Sequence, residues 1–398
     1  MPMTPASSFL LPDGSTLALE QQVVRLQALL EASRRVHSTI LLDQVLREAL
    51  RIAILELELE GARFVGCEHC AEVSAGDMLP QQASGSRDYP RFPVHTPAGE
   101  LIAELVVAPP QGRALTLYES DFLEGLMLQT ALAAENALHH KRNLEYARLT
   151  QDLDAARLIQ QSLLPQVLPA LQGYAVAVRS SMCYQVGGDY LDVIPEPAGT
   201  LLLVVADVAG KGLASALICM VFRAAFRALA LQGLPLEHLA ARLSQQHWEE
   251  GAEARRRYVT AIFVRLDPAA ATITCVNAGH NPGLLLAPNN TSRWIKASGT
   301  PLGMLSGTQY ESEQLDFPLG GRMLLYTDGL TEAFCAEEEF GAERLAQLFA
   351  DCSGHSCEAT LSTIWRELLE FTGHTPQGDD MSAIALGHTG GGTLQESA

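Results

Sequence analysis

Apolar residues recur along this chain in two rhythms. Leu19, Val23, Leu26 and Leu30 keep a three-four spacing, which predicts a helix over residues 17–55. A second helical pattern runs from Tyr118 to Leu164; it holds no proline, Gly125 is its only glycine, and Pro165 and Pro169 end it. Between the two, "ARFVGCEHCAEV" and "ELIAELVVA" read as strands, separated by a polar, glycine- and proline-bearing region near residues 75–100. Late in the second helix, Leu149, Leu153, Ala156, Gln160 and Leu163 alternate by four and three. That is a weak heptad seam with one polar member, open to burial against a second protomer or against the helix's own domain. The length of the connector favours a homodimer.

From about residue 170 the rhythm shortens. "TLLLVVAD", "YVTAIFVRLD", "TITCVNAG", "GLLLAP", "RMLLYTD" and "MSAIALG" read as strands, and "LASALICMVFRAAFRALALQ" as a mostly apolar helix. Many strands with two or three helices among them predict an α+β sandwich rather than a parallel doubly wound sheet. The last residues, "HTGGGTLQESA", read as a flexible end.

Bulk properties narrow the function. A chain of 398 residues exceeds one ordinary core, so two domains and a connector are expected. The formal net charge of -19 argues against binding a nucleic-acid backbone, which needs an excess of lysine and arginine, and is compatible with a divalent-cation site. No apolar run reads as a membrane span, and the start "MPMTPASSFLLPDGS" lacks the regions of a signal peptide, so a cytoplasmic protein without a membrane partner is expected. Eight cysteines are too sparse for a disulfide scaffold. The cluster Cys67, His69 and Cys70 in "CEHC" has no second CxxC to complete a zinc site, and "CSGHSC" (Cys352 to Cys357) is far away in sequence. Thiols without a metal or redox role are the expected reading there.

The chemistry lies in the acids. "QVGGD" ends at Asp189, "LLLVVAD" at Asp207 and "MLLYTD" at Asp328, while "PQGDDM" sets Asp379 and Asp380 just before a strand. A single aspartate at a strand end is usually a turn residue. Four such sites, three of them beside glycine, imply gathering, and carboxylates gathered without arginine or lysine repel unless a cation lies between them. Oxygen donors suit Mg²⁺ or Mn²⁺, and two such ions can activate water for attack on phosphorus. Gly187 and Gly188 let the backbone come close enough to deliver Asp189.

"VGGDYLDV", "ADVAGKGLASAL", "YVTAIFVRLD", "NAGHNPGLLL", "GTPLGML", "LLYTDGLTEAF" and "GDDMSAIAL" occur in the order found in metal-dependent type-2C (PPM) protein phosphatases. Over about residues 160–388 the chain resembles their bacterial SpoIIE/RsbU-like branch. The resemblance implies a β-sandwich flanked by helices and a two-metal centre. Asp189 and Asp207 would be catalytic and hold the metals, the carbonyl of Val208 would add a ligand, and Asp328 and Asp379 would complete the set. Asp379 is preferred to Asp380, because the family's metal acid is the first residue of the "DD" step. The implied reaction is hydrolysis of phosphoserine or phosphothreonine on a partner protein, an anti-sigma-factor antagonist, by metal-activated water. Departures are Met182-Cys183-Tyr184-Gln185 ahead of the glycines and Tyr190-Leu191 after the first acid. Residues 18–140 resemble a GAF sensor domain in layout, with "GELIAELVVA" followed by "LYESDFLEGLMLQTALAAENA" and no ligand motif. The expected organisation is thus a GAF-like sensor at 18–140, responding to a small-molecule or protein signal, a helical linker at 141–168, the phosphatase domain at 169–388 and a tail at 389–398.

Other residues carry plainer expectations. His280 is read as a turn-stabilising histidine rather than a general acid, and Lys211 as shaping a turn, since "GKG" lacks the P-loop pattern. Arg179, the one candidate for a phosphate-binding arginine near the first acid, is read as a surface residue. "EARRRY", Glu253 to Tyr258, is read as a solvated basic loop that is also the candidate contact for a phosphoprotein. Two other functions compete. "GGDYL" is similar to the GGDEF signature of diguanylate cyclases, but Tyr190 stands in the glutamate's place and that reading leaves "TDG" and "GDDM" without a purpose. A non-catalytic, partner-binding scaffold is opposed by the presence of acids at all four sites.

Overall fold

The computed structural model describes residues 14–67, 73–76, 89–110, 113–373 and 375–390. The chain divides into two compact units, at residues 1–150 and 151–398.

In the first unit, helices α1 (Gly14–Val36) and α2 (Leu42–Leu57) precede strands β1 (Gly61–Val65), β2 (Ser74–Gly76), β3 (Arg91–His95) and β4 (Leu101–Ala108), which form an antiparallel sheet in the order β2-β1-β4-β3. Helix α3 (Leu117–Leu163) follows. The single helix expected over 17–55 is two, broken at His37–Leu41. There the Thr39 hydroxyl takes the Leu41 amide proton that would otherwise continue the ladder. The amphipathic spacing bridges the break because Val36 and Val45 enter the same core. Leu46, Leu50 and Ala53 of α2, Phe64 and Leu105 of the sheet, and Phe122, Leu126 and Met127 of α3 fill that core.

The second unit begins within α3 and continues through β5 (Tyr174–Ser181), β6 (Tyr190–Pro195), β7 (Leu201–Val208), α4 (Leu213–Ala230), α5 (Leu236–Glu249), α6 (Ala252–Arg255), β8 (Val259–Asp267), β9 (Thr272–Ala278), β10 (Gly283–Leu286), β11 (Ser292–Ile295), β12 (Glu313–Asp316), β13 (Arg322–Tyr326), the hairpin β14 (Phe334–Cys335) and β15 (Glu338–Glu339), α7 (Ala342–Asp351), α8 (Cys357–Thr372) and β16 (Met381–His388). Two five-stranded antiparallel sheets result, in the orders β11-β10-β13-β16-β5 and β12-β9-β8-β7-β6. Side chains alternate across each strand, so β7 sends Leu201, Leu203 and Val205 between the sheets and Leu202, Val204 and Ala206 outward against α4 and α5. That is why "LLLVVA" is apolar without interruption: both of its faces are covered. In β16, Ile384 and Leu386 face inward, while Ala383 and Ala385 meet α7 and α8. The result is the expected α+β sandwich, layered helix, sheet, sheet, helix.

Helix α4 corrects one expectation. Its 18 residues have a mean hydropathy of 1.7, long and apolar enough by length and composition to cross a membrane. One face of α4 packs on the sheet through Cys219, Phe222 and Phe226, the two phenylalanines each worth roughly 1.5–3 kcal/mol of burial. Of the expected flexible tail, residues 391–398 lie outside the described residues. Thr389 and Gly390 are fastened to the Gly173 carbonyl at 2.8 and 3.2 Å.

Candidate metal centre

Four chain segments deliver the acids to one end of the sandwich. Asp189 precedes β6, Asp207 is the penultimate residue of β7, Asp328 opens a single helical turn after β13, and Asp379 and Asp380 precede β16. Antiparallel pairing of β6 with β7 and of β13 with β16 brings these strand ends together.

Their electrostatics show the proximity. Burial pushes the Asp189 carboxyl well above the usual carboxylate range, and the charges of Asp207 and Asp380 push it further. Burial, then Asp328, Asp379 and Asp380, push Asp207 up to about 7. Asp328 is raised by burial and by Asp379. The counter-charge is Lys211, whose ammonium sits 2.8 Å from the Asp379 carboxylate and 2.6 Å from the Gly378 carbonyl. Lys211 is therefore a charge inside the acid cluster rather than the turn-shaping residue expected from "GKG".

Contact distances leave little room at the glycine pair. A Cβ on Gly188 would lie 3.1 Å from the Val208 carbonyl oxygen and 3.5 Å from Asp207 Oδ1, and a Cβ on Gly187 would lie 2.4 Å from Asp380 Oδ2. Asp380 itself is tied to the loop, accepting the amide protons of Cys183 at 2.7 Å and Gly188 at 2.8 Å. It holds the loop that presents Asp189, while Asp379, beside it, keeps a half-exposed carboxylate. Asp192, the other acid of "VGGDYLDV", points away from the cluster. It is fully buried and accepts hydrogen bonds from the Tyr190 hydroxyl, the Val193 amide and both arms of Arg227, fastening α4 to β6.

Sequence reasoning missed two braces, Thr327 and Gln160, and singled out a third, His280. The Thr327 hydroxyl donates to Asp189 at 2.8 Å, next to Asp328, and accepts the Ser382 amide proton at 2.9 Å. The "TD" dipeptide was the available signal. Gln160, the polar member of the α3 seam, is buried and bonded through its side chain to both the amide and the carbonyl of Gly187, at 3.1 and 2.7 Å. That part of the seam therefore docks on its own domain. His280 is buried; its Nε2 donates to the Tyr326 carbonyl at 3.0 Å and its Nδ1 accepts from the Thr260 hydroxyl at 2.8 Å. Burial lowers its pKa to about 4, so it is a neutral brace behind Asp328. Arg179 lies over the Trp365 ring at 5.1 Å and reaches Ser362, on the α8 side of its sheet.

Among the described residues, no three His, Cys, Asp or Glu side chains are close enough together to form a ready-made cage for an ion. The donor chemistry nevertheless fits a hard divalent cation. Carboxylates and a backbone carbonyl are oxygen donors, and burial of mutually repelling carboxylates beside a single lysine is relieved by added positive charge. Of the "CEHC" cluster, His69 and Cys70 lie outside the described residues; Cys352 and Cys357 are free thiols.

Known proteins resemble the C-terminal part of the chain. Residues 197–389 match the family described as Stage II sporulation protein E (SpoIIE). The chain is 32% identical over 189 residues to the phosphoserine phosphatase RsbP of Bacillus subtilis, covering 46% of this chain and 45% of RsbP. It is 26% identical over 262 residues to protein IcfG of a Synechocystis species, covering 59% of this chain and 41% of IcfG. The chain thus spans less than half the length of these two relatives. The SiaA-PP2C domain of Pseudomonas aeruginosa shares the fold, with a TM-score of 0.53, 22% identity, and 61% of this chain matched to 97% of that domain.

Proposed function

We propose that the chain is a metal-dependent protein serine/threonine phosphatase that removes phosphate from a phosphorylated partner protein of the anti-sigma-factor-antagonist type. The observation that carries this reading is that Asp189, Asp207, Asp328 and Asp379, from four distant segments, press on one another electrostatically, with Lys211 paired to Asp379. Asp189, Asp207 and the Val208 carbonyl, with Asp328 and Asp379, are the groups that would hold Mn²⁺ or Mg²⁺. Two such ions, when bound, supply neutralisation of phosphoryl charge and acidify a water for in-line attack.

The chain's own residues orient these ligands. Thr327 holds one Asp189 oxygen. Asp380 fixes the backbone of Gly188, and Lys211 sets the position of Asp379. His280 takes no part as a proton donor, because both ring nitrogens are committed to structural bonds and its pKa is near 4. The N-terminal unit acts as a GAF-like sensor, and exposed Leu144, Leu149 and Leu158 on α3 offer apolar surface for a homodimer.

The test is Mn²⁺-dependent hydrolysis of p-nitrophenyl phosphate by the full chain. Asp207→Ala abolishes it while the thermal unfolding transition is kept. A wild-type chain that releases no phosphate with any divalent ion gives way to the scaffold reading.

A further inference from the structure

A phosphoryl group carries about two negative charges, so ions alone do not orient it; a fork of N–H donors does. Arg179, the arginine nearest the first acid in sequence, is engaged with Trp365. The run Arg255-Arg256-Arg257 supplies the alternative. Arg255 stacks on the Trp248 ring at 4.4 Å, and Arg256 pairs with Glu253 at 3.0 Å. The Arg257 side chain, half-buried, has no ion-pair or hydrogen-bond partner among the described residues.

The backbone around Arg257 is fixed beside the end of the strand that carries Asp207. Its amide donates to the Ala254 carbonyl at 2.8 Å, and its carbonyl accepts from His247 Nε2 at 3.0 Å. The next residue, Tyr258, takes the Ala209 amide proton at 2.9 Å, and Val259 pairs in register with Val208, the carbonyl expected to ligate. Arg257 Nε lies 3.9 Å from where a Cβ on Gly210 would sit. Gly210 has φ of +100° and directly precedes Lys211, which reaches Asp379. An unpartnered guanidinium thus stands against the loop that joins Asp207 and Val208 to Lys211, in a chain where 46 acidic residues outnumber 27 basic ones.

We propose that Arg257 is the phosphate-binding residue of this centre, its guanidinium gripping the non-reacting oxygens of the substrate phosphoryl group. The role rests on the phosphatase reading above. It places substrate recognition on the segment that closes the 209–212 loop rather than ahead of the first acid.

The test uses the full chain with saturating Mn²⁺. Arg257→Ala lowers kcat/KM for p-nitrophenyl phosphate by about 10²-fold, the usual effect of removing one donor to developing phosphoryl or acyl charge. It weakens inhibition by inorganic phosphate at least tenfold and leaves the Mn²⁺ titration by calorimetry unchanged. Arg257→Lys recovers part of both losses, and Arg256→Ala changes neither. An Arg257→Ala chain with wild-type kcat/KM and phosphate inhibition overturns the proposal and leaves the phosphatase intact. Loss of Mn²⁺ affinity in step with activity also overturns it, since Arg257 then acts through the loop. A wild-type chain without hydrolysis removes the phosphatase reading itself.

Discussion

Gly188→Ala separates folding from function at the candidate centre. Gly188 does not have a positive φ, so alanine adopts its backbone conformation without strain. The added methyl would lie 3.1 Å from the Val208 carbonyl oxygen, 3.5 Å from Asp207 Oδ1 and 3.5 Å from Ser215 Cβ. Ordinary carbon–oxygen contact is a few tenths of an ångström longer than the first of these, so the carbonyl or the loop must move by that amount. Losing glycine's freedom in the unfolded chain contributes about 0.4–1 kcal/mol of stability, which offsets most of the crowding. The unfolding free energy of the variant therefore stays within about 1 kcal/mol of wild type. The centre has less tolerance: misplacement by about 1 Å costs about 10²-fold in rate, so a shift of a few tenths costs on the order of tenfold. Urea unfolding, calorimetric Mn²⁺ titration and hydrolysis of p-nitrophenyl phosphate read the three quantities. A variant with wild-type Mn²⁺ affinity and rate would refute the reasoning, because the methyl would then be pressing on nothing that matters.

Two further outcomes follow from the same geometry. Asp207 has a folded pKa of about 7 against an ordinary 3.8, so the folded chain binds more protons than the unfolded one between those values, and without metal the second unit loses stability as pH rises from about 4 to about 7. Divalent metal binds the ionised carboxylates, so the stabilisation by Mn²⁺ over EDTA in urea unfolding grows across that window; a gap that does not vary with pH would contradict the clustering of acids. Removing residues 1–145 changes the Mn²⁺-dependent rate, because Gln160 of α3 holds both polar backbone atoms of Gly187; an unaltered rate leaves the sensor without a route to the centre.

Much of this was legible in the sequence, for particular physical reasons. Strand periodicity and the uninterrupted apolar run of β7 gave the sandwich, because a strand covered on both faces has no polar positions to spare. The strand-end acids and their glycines were visible because each is a local departure from strand composition. Where an interaction lies in the gap between segments, the sequence is silent. The break at His37–Leu41 escaped because hydrophobic spacing continues across it. Lys211 looked like a turn residue because its partner, Asp379, lies more than 160 positions away. Asp192 and Asp189 belong to one motif and have opposite fates, one locked to Arg227 in the core and the other at the acid cluster. Alternation around β6 and the packing of α4 decide between them.

The chain by itself determined which residue types stand at the strand ends, and with them the class of chemistry, since only oxygen donors were on offer. Only the tertiary structure decided which carboxylate presses on which, which arginine of three is left without a partner, and which histidine is locked neutral. Those depend on distances between segments that pairing and packing set, and no local pattern encodes them.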